Sequence, residues 1–382
     1  MKLKNLLFIF LCSFSSTFTQ SQISNFKEKF ELPNEVKETS GLLFLDGKII
    51  THNDSGDNAN LYEIDSLSGN LLRTISISNA SNIDWEDITD DESHIYIGDM
   101  GNNNGNRTDL KIYKILKSDF RNNTSVSAEI ISFSYQNQTT FSNSNNHNFD
   151  SEAIVVVDNS ILIFTKNRGD FKTNVYKIPT APGTHSAVKI SSANVEGLIT
   201  GASFSQDRFF LTGYNSTLTP FLIYISFNRM PGDDIFFSGF QKISLENELG
   251  QGSQVEAVTN IGFTGKFYIS REFVSSNQGG MQFTFPQKLY EFYDETNPLL
   301  SIEESEFNKF IIYPNPIKDK IKYTSNLTIV KIEMYNSLGK KILVSRVNPQ
   351  KEVDVSFLSS GVYYLKIQSA KNNSVIKKFI KL

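Results

Sequence analysis

Acidic side chains recur where short apolar segments of this chain begin. The aligned position holds Ser40, Glu86, Glu152, Glu196 and Glu256. Two residues earlier stand Glu38, Asp84, Asp150, Asn194 and Gln254. Residues two apart project from the same face of a strand, so the two sets would form neighbouring tiers. If strands from different repeats meet around one axis, these carboxylates converge.

Converging carboxylates repel each other unless a cation, a basic side chain or a bound proton neutralises them. Calcium prefers a cage of carboxylate, amide and carbonyl oxygens, whereas softer metals prefer histidine or cysteine. We therefore expect Ca²⁺ as the cofactor, with Asp84, Glu86, Asp150 and Glu152 as its ligands. Two other interpretations stay open. In the first, each repeated glutamate has a structural role and accepts hydrogen bonds from backbone N–H groups of the next repeat. In the second, the acids act in catalysis.

A second group of polar residues lies at the ends of the apolar segments that come next. Because the first two strands of a repeat run antiparallel, these ends return to the same face as the acids. The candidates for ligand binding on this face are His52, Asn53, Asp99, Lys166, Arg168, Arg271 and Glu272. No G-x-S-x-G nucleophile motif is present, and the four histidines do not pair with a serine or an aspartate, so catalytic residues stay unknown.

Five similar segments must position these residues. Each contains an acidic or small pair, an apolar strand, a turn, a second apolar strand, a Gly/Asn-rich loop and a third strand, and most copies add a fourth. Repeated four-stranded units predict an all-β fold, a β-propeller of five blades, or of six if a degenerate blade lies between copies two and three. The fifth copy lacks a fourth strand. The alternating segment FKEKFELP, Phe26–Pro33, is predicted to supply that strand and close the ring.

The E-G-L and E-A-I cores at Glu196 and Glu152 look like blade motifs of phytase-like esterase propellers and, distantly, of gluconolactonase-type propellers. This resemblance covers short motifs within residues 25–295. It implies a calcium-dependent hydrolase that acts on a phosphate ester or a lactone at the channel mouth. Lys166, Arg168 and Arg271 are basic residues near the predicted mouth, but they do not make a dense pocket for a polyphosphate.

The charge distribution divides the chain into two parts. From Glu306 onward, 14 Lys/Arg stand against 5 Asp/Glu, a charge of +9, whereas the remainder has 23 against 36, a charge of −13. Two domains with different surroundings are the natural interpretation. The acidic main body argues against a nucleic-acid partner. After the N-terminal segment, no stretch is apolar for long enough to form a transmembrane helix.

Residues 1–22, MKLKNLLFIFLCSFSSTFTQSQ, combine a basic start, a short apolar core and small polar residues. This pattern predicts a secretory signal peptide. The single cysteine, Cys12, lies inside it, so the mature chain is expected to have no thiol and no disulfide. We expect the propeller at 23–294, a linker at 295–305 and a C-terminal domain at 306–382.

About seven short strands in the C-terminal domain predict a small immunoglobulin-like β-sandwich. Tyr313, Pro314, Asn315 and Pro316 form a YPNP entry turn, since proline fixes φ and lacks a backbone donor. Gly361 is expected to allow a close approach or a special turn before the last hairpin. With the LGK turn at 338–340, LSSGVYYLKI at 358–367 and the terminal KKFIKL, this segment closely resembles the type A sorting domain of the type IX secretion system of Bacteroidota.

That resemblance implies passage through the periplasm, recognition by the outer-membrane secretion machinery, and release or surface attachment after the domain is cut off. Three functions remain for the propeller. The first is a binding module for a small molecule, a glycan or a partner protein, with calcium at its channel. The alternatives are a calcium-dependent phosphoester or lactone hydrolase and a scaffold without a ligand.

Overall fold

The computed structural model of the protein describes residues 23–227, 234–262, 264–278, 281–295, 311–325, 328–337, 339–346, 351–369 and 374–382. The predicted signal peptide and nearly all of the predicted linker lie outside these ranges. Up to residue 295 the elements are, in chain order, β1 (Ile23–Glu31), a 3-10 turn (Asn34–Val36), β2 (Thr39–Leu45), β3 (Lys48–Asn53), β4 (Asn60–Asp65), β5 (Leu71–Ile77), β6 (Trp85–Asp90), β7 (His94–Asp99), β8 (Lys111–Leu116), α1 (Lys117–Asn122), β9 (Ser125–Val126), β10 (Glu129–Tyr135), β11 (Ser151–Val157), β12 (Ser160–Thr165), β13 (Thr173–Pro179), β14 (Gly183–Ala193), β15 (Leu198–Ser205), β16 (Arg208–Tyr214), β17 (Pro220–Ser226), β18 (Gln241–Ser244), α2 (Glu246–Leu249), β19 (Val255–Asn260), β20 (Lys266–Arg271), β21 (Val274–Gln278), β22 (Met281–Phe285) and β23 (Lys288–Asp294).

Five four-stranded antiparallel units form the blades of a β-propeller. Blade one is β2–β5, blade two is β6–β8 with β10, blade three is β11–β14, blade four is β15–β18, and blade five is β19, β20, β23 and β1. The first strand of each blade is innermost. These strands, β2, β6, β11, β15 and β19, contact one another in a closed ring. The fold class predicted from the repeats is therefore confirmed, with five blades.

A hydrophobic core fills each of the five spaces between neighbouring blades. The inner strands of a blade bury both faces, because a core lies on either side of the sheet. This explains why the second strands have uninterrupted apolar runs, such as ILIF in β12 and FFL in β16, in place of the usual alternation.

The N-terminal strand closes the ring, as the sequence predicts. β1 pairs antiparallel with β23 and becomes the outer strand of blade five, with Glu31 opposite Lys288 and Ile23 opposite Asp294. The six-blade alternative is wrong. The span between copies two and three holds α1, the two-residue β9, β10 of blade two and an irregular segment, and so offers no further sheet.

Two outer strands carry additional pairing that the sequence did not indicate. β10 of blade two pairs in parallel with β14 of blade three, which joins these two blades into one eight-stranded sheet. β9 pairs in parallel with β5 over two residues and adds a fifth strand to blade one. A separate hairpin, β21–β22, is inserted between the second and third strands of blade five.

The C-terminal region forms two facing sheets, as predicted. Its strands are β24 (Ile311–Tyr313), β25 (Lys320–Thr324), β26 (Ile329–Asn336), β27 (Lys341–Arg346), β28 (Glu352–Asp354), β29 (Gly361–Ser369) and β30 (Ser374–Lys381). One sheet has the order β24-β25-β28 and the other β27-β26-β29-β30. Ile321, Val353, Met334, Leu365 and Phe379 share the core of this domain.

The YPNP motif forms the turn after β24, with cis peptide bonds at Tyr313–Pro314 and Asn315–Pro316. Asn315 fastens this turn to the last strand, because its Oδ1 accepts a hydrogen bond from Ile380 N at 2.9 Å. The role predicted for Gly361 is wrong. Its φ is not positive, and a Cβ at this position would meet its nearest neighbour, Tyr363, at an ordinary 3.6 Å.

Candidate functional site

Three glutamates enter the channel mouth through β-bulges in the innermost strands. In blade two, Trp85 pairs with Asp99 and Asp87 with Gly98, which leaves Glu86 as the extra residue. Glu152 and Glu256 occupy the same position in blades three and five. A bulge re-aims the side chain of its extra residue. All three side chains are buried, between 3% and 6% exposed.

Hydroxyl groups replace the glutamate in the other two blades. Ser40 in blade one donates its hydroxyl to Glu86 O at 2.6 Å. In blade four the bulge lies between Ile199 and Gly201, so the equivalent residue is Thr200, which donates to Val255 O at 2.6 Å. Each hydroxyl joins its blade to the backbone of a neighbouring blade.

The predicted position of Glu196 is wrong. Glu196 lies four residues before the bulge, is exposed and does not join the channel acids. The local likeness of its E-G-L motif to E-A-I shifted the alignment by four residues. The glycine or alanine that follows Ser40, Glu152, Thr200 and Glu256 does not identify the register, because Glu196 is also followed by glycine.

Three carboxylates of blades one and two converge without a basic partner. One oxygen each from Asp54, Asp84 and Glu86 lie within 4.8 Å of one another. Asp54 directly follows β3, Asp84 directly precedes β6, and Asp54 O accepts a hydrogen bond from Trp85 N at 3.2 Å. Among the described residues, no lysine or arginine forms an ion pair with any of the three. We call these three residues the acid triad.

A glycine is required where the backbone approaches the acid triad. Met100 N and Gly101 N both donate to Asp84 O at 3.1 Å, which places Gly101 directly against the triad. A Cβ at Gly101 would overlap Glu86 Oε1 and Asp84 Oδ2. Within the described part of the chain, Asp54 Oδ1 is buried without a hydrogen-bond partner.

Burial and mutual repulsion raise the pKa of all three acids of the triad. Burial raises the pKa of Asp54 to about 9, and the negative charges of Asp84, Glu152 and Glu256 add to the effect. Burial also raises the pKa of Asp84 and, much further, that of Glu86. The positive charges of Arg107 and Lys166 lower the pKa of Asp84 and Glu86 respectively, but burial and the like charges outweigh them. A cation at the triad would favour its ionised form.

The predicted calcium ligands separate into two groups. Asp84 and Glu86 belong to the acid triad, whereas Asp150 and Glu152 already have cationic partners. Lys166 Nζ lies 2.9 Å from Glu152 Oε2, and Arg168 Nε lies 3.2 Å from Asp150 Oδ2. These two acids are therefore neutralised by protein side chains, and the third acid of the triad, which the sequence analysis did not single out, is Asp54.

Blade five adds two further carboxyl groups to the mouth. Burial, with Glu272 as the nearest like charge, raises the pKa of Glu256 well above its usual value. Burial and the charge of Asp54 raise the pKa of Glu272 to about 8. Gln254 Nε2 donates to Glu272 Oε1. Glu38 is exposed at the rim and adds to the negative charge felt by Glu272.

His52 and Asn53 do not face the mouth, which corrects two of the predicted ligand contacts. His52 is fully buried, with its ring 5.6 Å from that of Trp85, and burial lowers its pKa to about 4. Asn53 Nδ2 donates to Glu35 O at 2.8 Å and to Asp57 Oδ2 at 2.7 Å. Both residues organise the core and loops of blade one.

Asp99 and Arg271 are likewise occupied by structural contacts. Asp99 is buried and pairs with Arg107 at 2.8 Å, a partner that the sequence did not indicate. Arg271 donates to Leu249 O at 3.1 Å and to Pro286 O at 3.0 Å. Neither Asp99 nor Arg271 is therefore available as a free charged group at the mouth.

Comparisons with solved structures give remote likenesses. The chain is 8% identical to exo-β-1,3-galactanase from Phanerochaete chrysosporium, solved with β-1,3-galactotriose, with a TM-score of 0.43 over 93% of this chain and all of that one. It is 8% identical to a putative oxidoreductase (glucose dehydrogenase) from Thermus thermophilus, with a TM-score of 0.39 over 71% and 99% of the two chains.

A third likeness is to the extracellular domain of a putative one-component system from B. thetaiotaomicron, at 10% identity and a TM-score of 0.32. The match covers 94% of this chain but only 59% of that one, so the chain spans about three-fifths of that domain's length. No curated protein matches the chain.

The C-terminal sandwich gives a family match. Residues 311–382 match the secretion system C-terminal sorting domain, which agrees with the resemblance drawn from YPNP and the last strands. None of the helices in the described ranges is long and apolar enough to cross a membrane. The C-terminal module is thus a sorting domain of the type IX secretion system, and it directs this propeller out of the cell, to the surface or the medium.

Proposed function

We propose that the propeller is an exported binding module that holds a calcium ion at its channel mouth and binds a glycan or a partner protein there. One observation carries the proposal: the acid triad brings three carboxylates within 4.8 Å of one another with no basic side chain to neutralise them among the described residues. Bringing three buried like charges together is costly, so the arrangement is explained by a cation between them.

The chemistry of the triad fits calcium. All three donors are carboxylate oxygens, which suit a hard cation, and neither an imidazole nor a thiol belongs to this cluster of described residues. A side chain at Gly101 would displace the carboxylates of Asp84 and Glu86, and Asp54 Oδ1 is buried with no hydrogen-bond donor among the described residues. With three protein ligands, a calcium ion would retain coordination positions for oxygen atoms of a ligand.

The basic residues at the mouth favour binding over phosphate hydrolysis. Lys166 and Arg168 are committed to Glu152 and Asp150, and Arg271 is tied to backbone carbonyls. These three cations are therefore not free to hold a phosphate ester. A ligand with hydroxyl or carboxylate oxygens would instead contact the ion directly.

One observation supports the second candidate, a calcium-dependent hydrolase. The pKa of Glu272 is raised to about 8, so its carboxyl group holds a proton at neutral pH close to the acid triad. A protonated carboxyl beside ionised ones is the arrangement that general acid catalysis requires. Hydrolysis of a lactone or a phosphomonoester would then depend on Glu272 as well as on calcium.

Thermal denaturation with calcium or with a chelator tests the proposed function. We expect calcium to raise the Tm of the wild-type protein by roughly 5 °C at saturating concentration. Glu86→Gln and Asp54→Asn should lose this shift, and in chelator they should be at least as stable as the wild type because each removes a repelling carboxyl. Asp119→Asn, at an exposed position in α1, is the matched control and should keep the full shift.

Further variants separate the candidate functions. Gly101→Ala should also abolish the calcium shift, because its methyl group would overlap the carboxylate oxygens of Glu86 and Asp84 and force them to move. Turnover of a phosphomonoester or a lactone that disappears in Glu272→Gln would support the hydrolase in place of the binding module. If chelation changes nothing and every triad variant is simply less stable, the propeller is a scaffold and the proposal fails.

A further inference from the structure

A second polar cavity of about 520 Å³ lies against blade three, outside the channel mouth. One wall is the segment 146–149, which precedes β11, and the other is the loop 169–172 between β12 and β13. Asn174 and Tyr176 of β13 contribute to the same lining. We call this cavity the blade-three groove. Its volume is in the range that small-molecule sites occupy.

Asparagine amides in the groove are fixed with their oxygens turned to protein donors. Asn137 Oδ1 accepts from Tyr176 Oη at 3.0 Å, and Asn148 Oδ1 accepts from Gly169 N at 3.1 Å. Asn174, only 7% exposed, accepts from Ser192 Oγ at 2.9 Å. Across the described residues, none of these three amides donates a hydrogen bond through Nδ2. Each therefore presents an oriented NH₂ group, a pair of donors, to the groove.

The charge of the groove also favours a ligand that carries hydrogen-bond acceptors, because it attracts negatively charged groups. Lys172 and Lys189 line it, and neither forms an ion pair within the part of the chain that the structure describes. Asp170 is the one acid among the described lining residues, and its Oδ1 already accepts from Asn167 Nδ2 at 3.0 Å and from Lys172 N at 3.1 Å. The groove thus combines fixed neutral donors with a net positive charge.

We propose that the blade-three groove binds an acidic saccharide, a polyhydroxylated ring that carries a carboxylate or a sulfate. Ring hydroxyls and the ring oxygen accept hydrogen bonds from the asparagine NH₂ groups, and the anionic substituent pairs with Lys172 or Lys189. The half-buried ring of Phe149, which packs 5.5 Å from that of Tyr135, gives the groove an apolar surface for the C–H face of a sugar.

The groove lies beside the channel mouth but does not need its cation. His147, on the groove wall, contacts Asn103 O through Nε2 at 3.2 Å, and the Asn103 side chain accepts from Arg168, which pairs with Asp150 at the mouth. Asp170 is the single carboxylate that lines the described groove, and none of the acid triad is part of its lining. Binding in the groove is therefore independent of the calcium proposed for the acid triad.

Calorimetric titration of the full chain with short oligosaccharides tests this proposal. The probes are an oligogalacturonate, an oligosaccharide of chondroitin sulfate and a neutral galacto-oligosaccharide, each titrated in chelator. We expect at least one acidic probe to bind, with the neutral one weaker by about tenfold or more, as the loss of a charged partner implies. The acidic probe that binds more tightly shows whether the groove prefers a carboxylate or a sulfate.

Two variants assign the binding to the groove. Lys172→Glu combined with Lys189→Glu should weaken the acidic probe by about tenfold or more. Asn148→Asp keeps the acceptor for Gly169 N but replaces the NH₂ donors with an oxygen, so it should weaken the same probe similarly. Lys318→Glu combined with Lys351→Glu, at exposed sites in the C-terminal domain, controls for the change in net charge. Thermal denaturation of each variant in chelator checks that it folds.

Three results would overturn the proposal. One is equal affinity for neutral and acidic probes, which would remove the role of the lysines. Another is the absence of binding by either acidic probe. The last is binding that appears only with calcium and disappears in Glu86→Gln, because the saccharide would then occupy the channel mouth and not the groove.

Discussion

Five acids of the channel mouth differ in how their charge is balanced. Glu152 and Asp150 pair with Lys166 and Arg168, whereas Asp54, Asp84 and Glu86 form no ion pair with a lysine or an arginine among the described residues. A basic partner lowers the cost of ionising a buried carboxyl, and without one the proton stays. The acids beside blade three are therefore neutralised by protein side chains. A cation would balance the charge of the acids beside blades one and two.

Stability should depend on pH through His52. Burial lowers the pKa of this imidazole to about 4, and an exposed histidine titrates near 6.5. In this pH range His52 binds a proton in the unfolded chain but not in the folded chain, so the free energy of unfolding falls as the pH decreases from 6.5 to 4. A difference of 2.5 pH units corresponds to about 3 kcal/mol. Urea denaturation at pH 7, 5.5 and 4 measures this loss.

His52→Phe isolates this contribution from that of the acid triad. The raised pKa of Asp54 acts in the opposite direction, because the folded chain keeps a proton that the unfolded chain has released, and stability falls as the pH rises from about 4 towards 9. The variant retains the acids, so only the loss below pH 6.5 should disappear. An unchanged pH dependence in His52→Phe would show that His52 is not the group responsible.

Sequence patterns predicted part of the mouth. The repeat alignment places Glu86, Glu152 and Glu256 correctly, because a bulged position in an innermost strand is preserved from blade to blade. Asp54 could not be identified in the same way. It lies in a loop rich in Gly, Asn and Asp, where the composition indicates a turn, and only the meeting of two blades brings it to Glu86.

At the level of elements, the pairing of β1 with β23 holds the propeller closed. Phe26 in β1 packs against two residues of β23, with its ring 5.7 Å from that of Tyr290 and 6.0 Å from that of Phe292. These contacts join residues more than 260 positions apart in sequence. The last blade therefore depends on a strand from the opposite end of the propeller sequence.

Shortening Phe26 should weaken this closure. We expect Phe26→Ala to reduce the free energy of unfolding by about 1–3 kcal/mol, less than for a fully buried phenylalanine because Phe26 is half-buried. Glu31→Ala, at an exposed position of the same strand, is the control and should change it by less than about 0.5 kcal/mol. Urea denaturation followed by tryptophan fluorescence measures both, since Trp85 is the only tryptophan.

Complementation with a separate peptide is a second test of the role of β1 in ring closure. A protein that lacks residues 23–33 should bind a synthetic peptide of that sequence and regain stability, because the peptide adds the missing strand to β23. The role assigned to β1 would be contradicted if the truncated protein were as stable as the full one, or if it did not bind the peptide.

The sequence predicts the strands of the blades better than it predicts the strands added to them. Alternation and long apolar runs mark each blade strand, and the unpaired pattern of FKEKFELP predicts ring closure. β9 and the β21–β22 hairpin were not predicted. β9 is too short to show a period, and the hairpin lies outside the repeated pattern on which the alignment depends.

At the scale of the molecule, the sorting domain determines where the propeller acts. Its core and its seven strands are separate from the interblade cores, and its basic charge contrasts with the acidic propeller. We expect a chain that ends at residue 305 to fold but to accumulate in the periplasm. Fractionation and immunoblotting of cells that express the two chains measure this change.

Export should not depend on the channel mouth. Glu86→Gln in the full chain is the control and should reach the cell surface or the medium like the wild type, because the secretion machinery recognises the sorting domain. Equal export of the chain without residues 306–382 would show that another part of the protein carries the signal.

The parallel pairing of β10 with β14 has a consequence for the behaviour of the protein during transport. The outermost strand of a blade exposes backbone groups that can pair with a second chain and start aggregation. β10 and β14 cover each other, and β9 covers part of β5. Of the remaining outer strands, β18 is four residues long and β1 is charged and twice bulged. The rim of the propeller is thus protected against cross-chain β-pairing when the protein is crowded at the secretion pore.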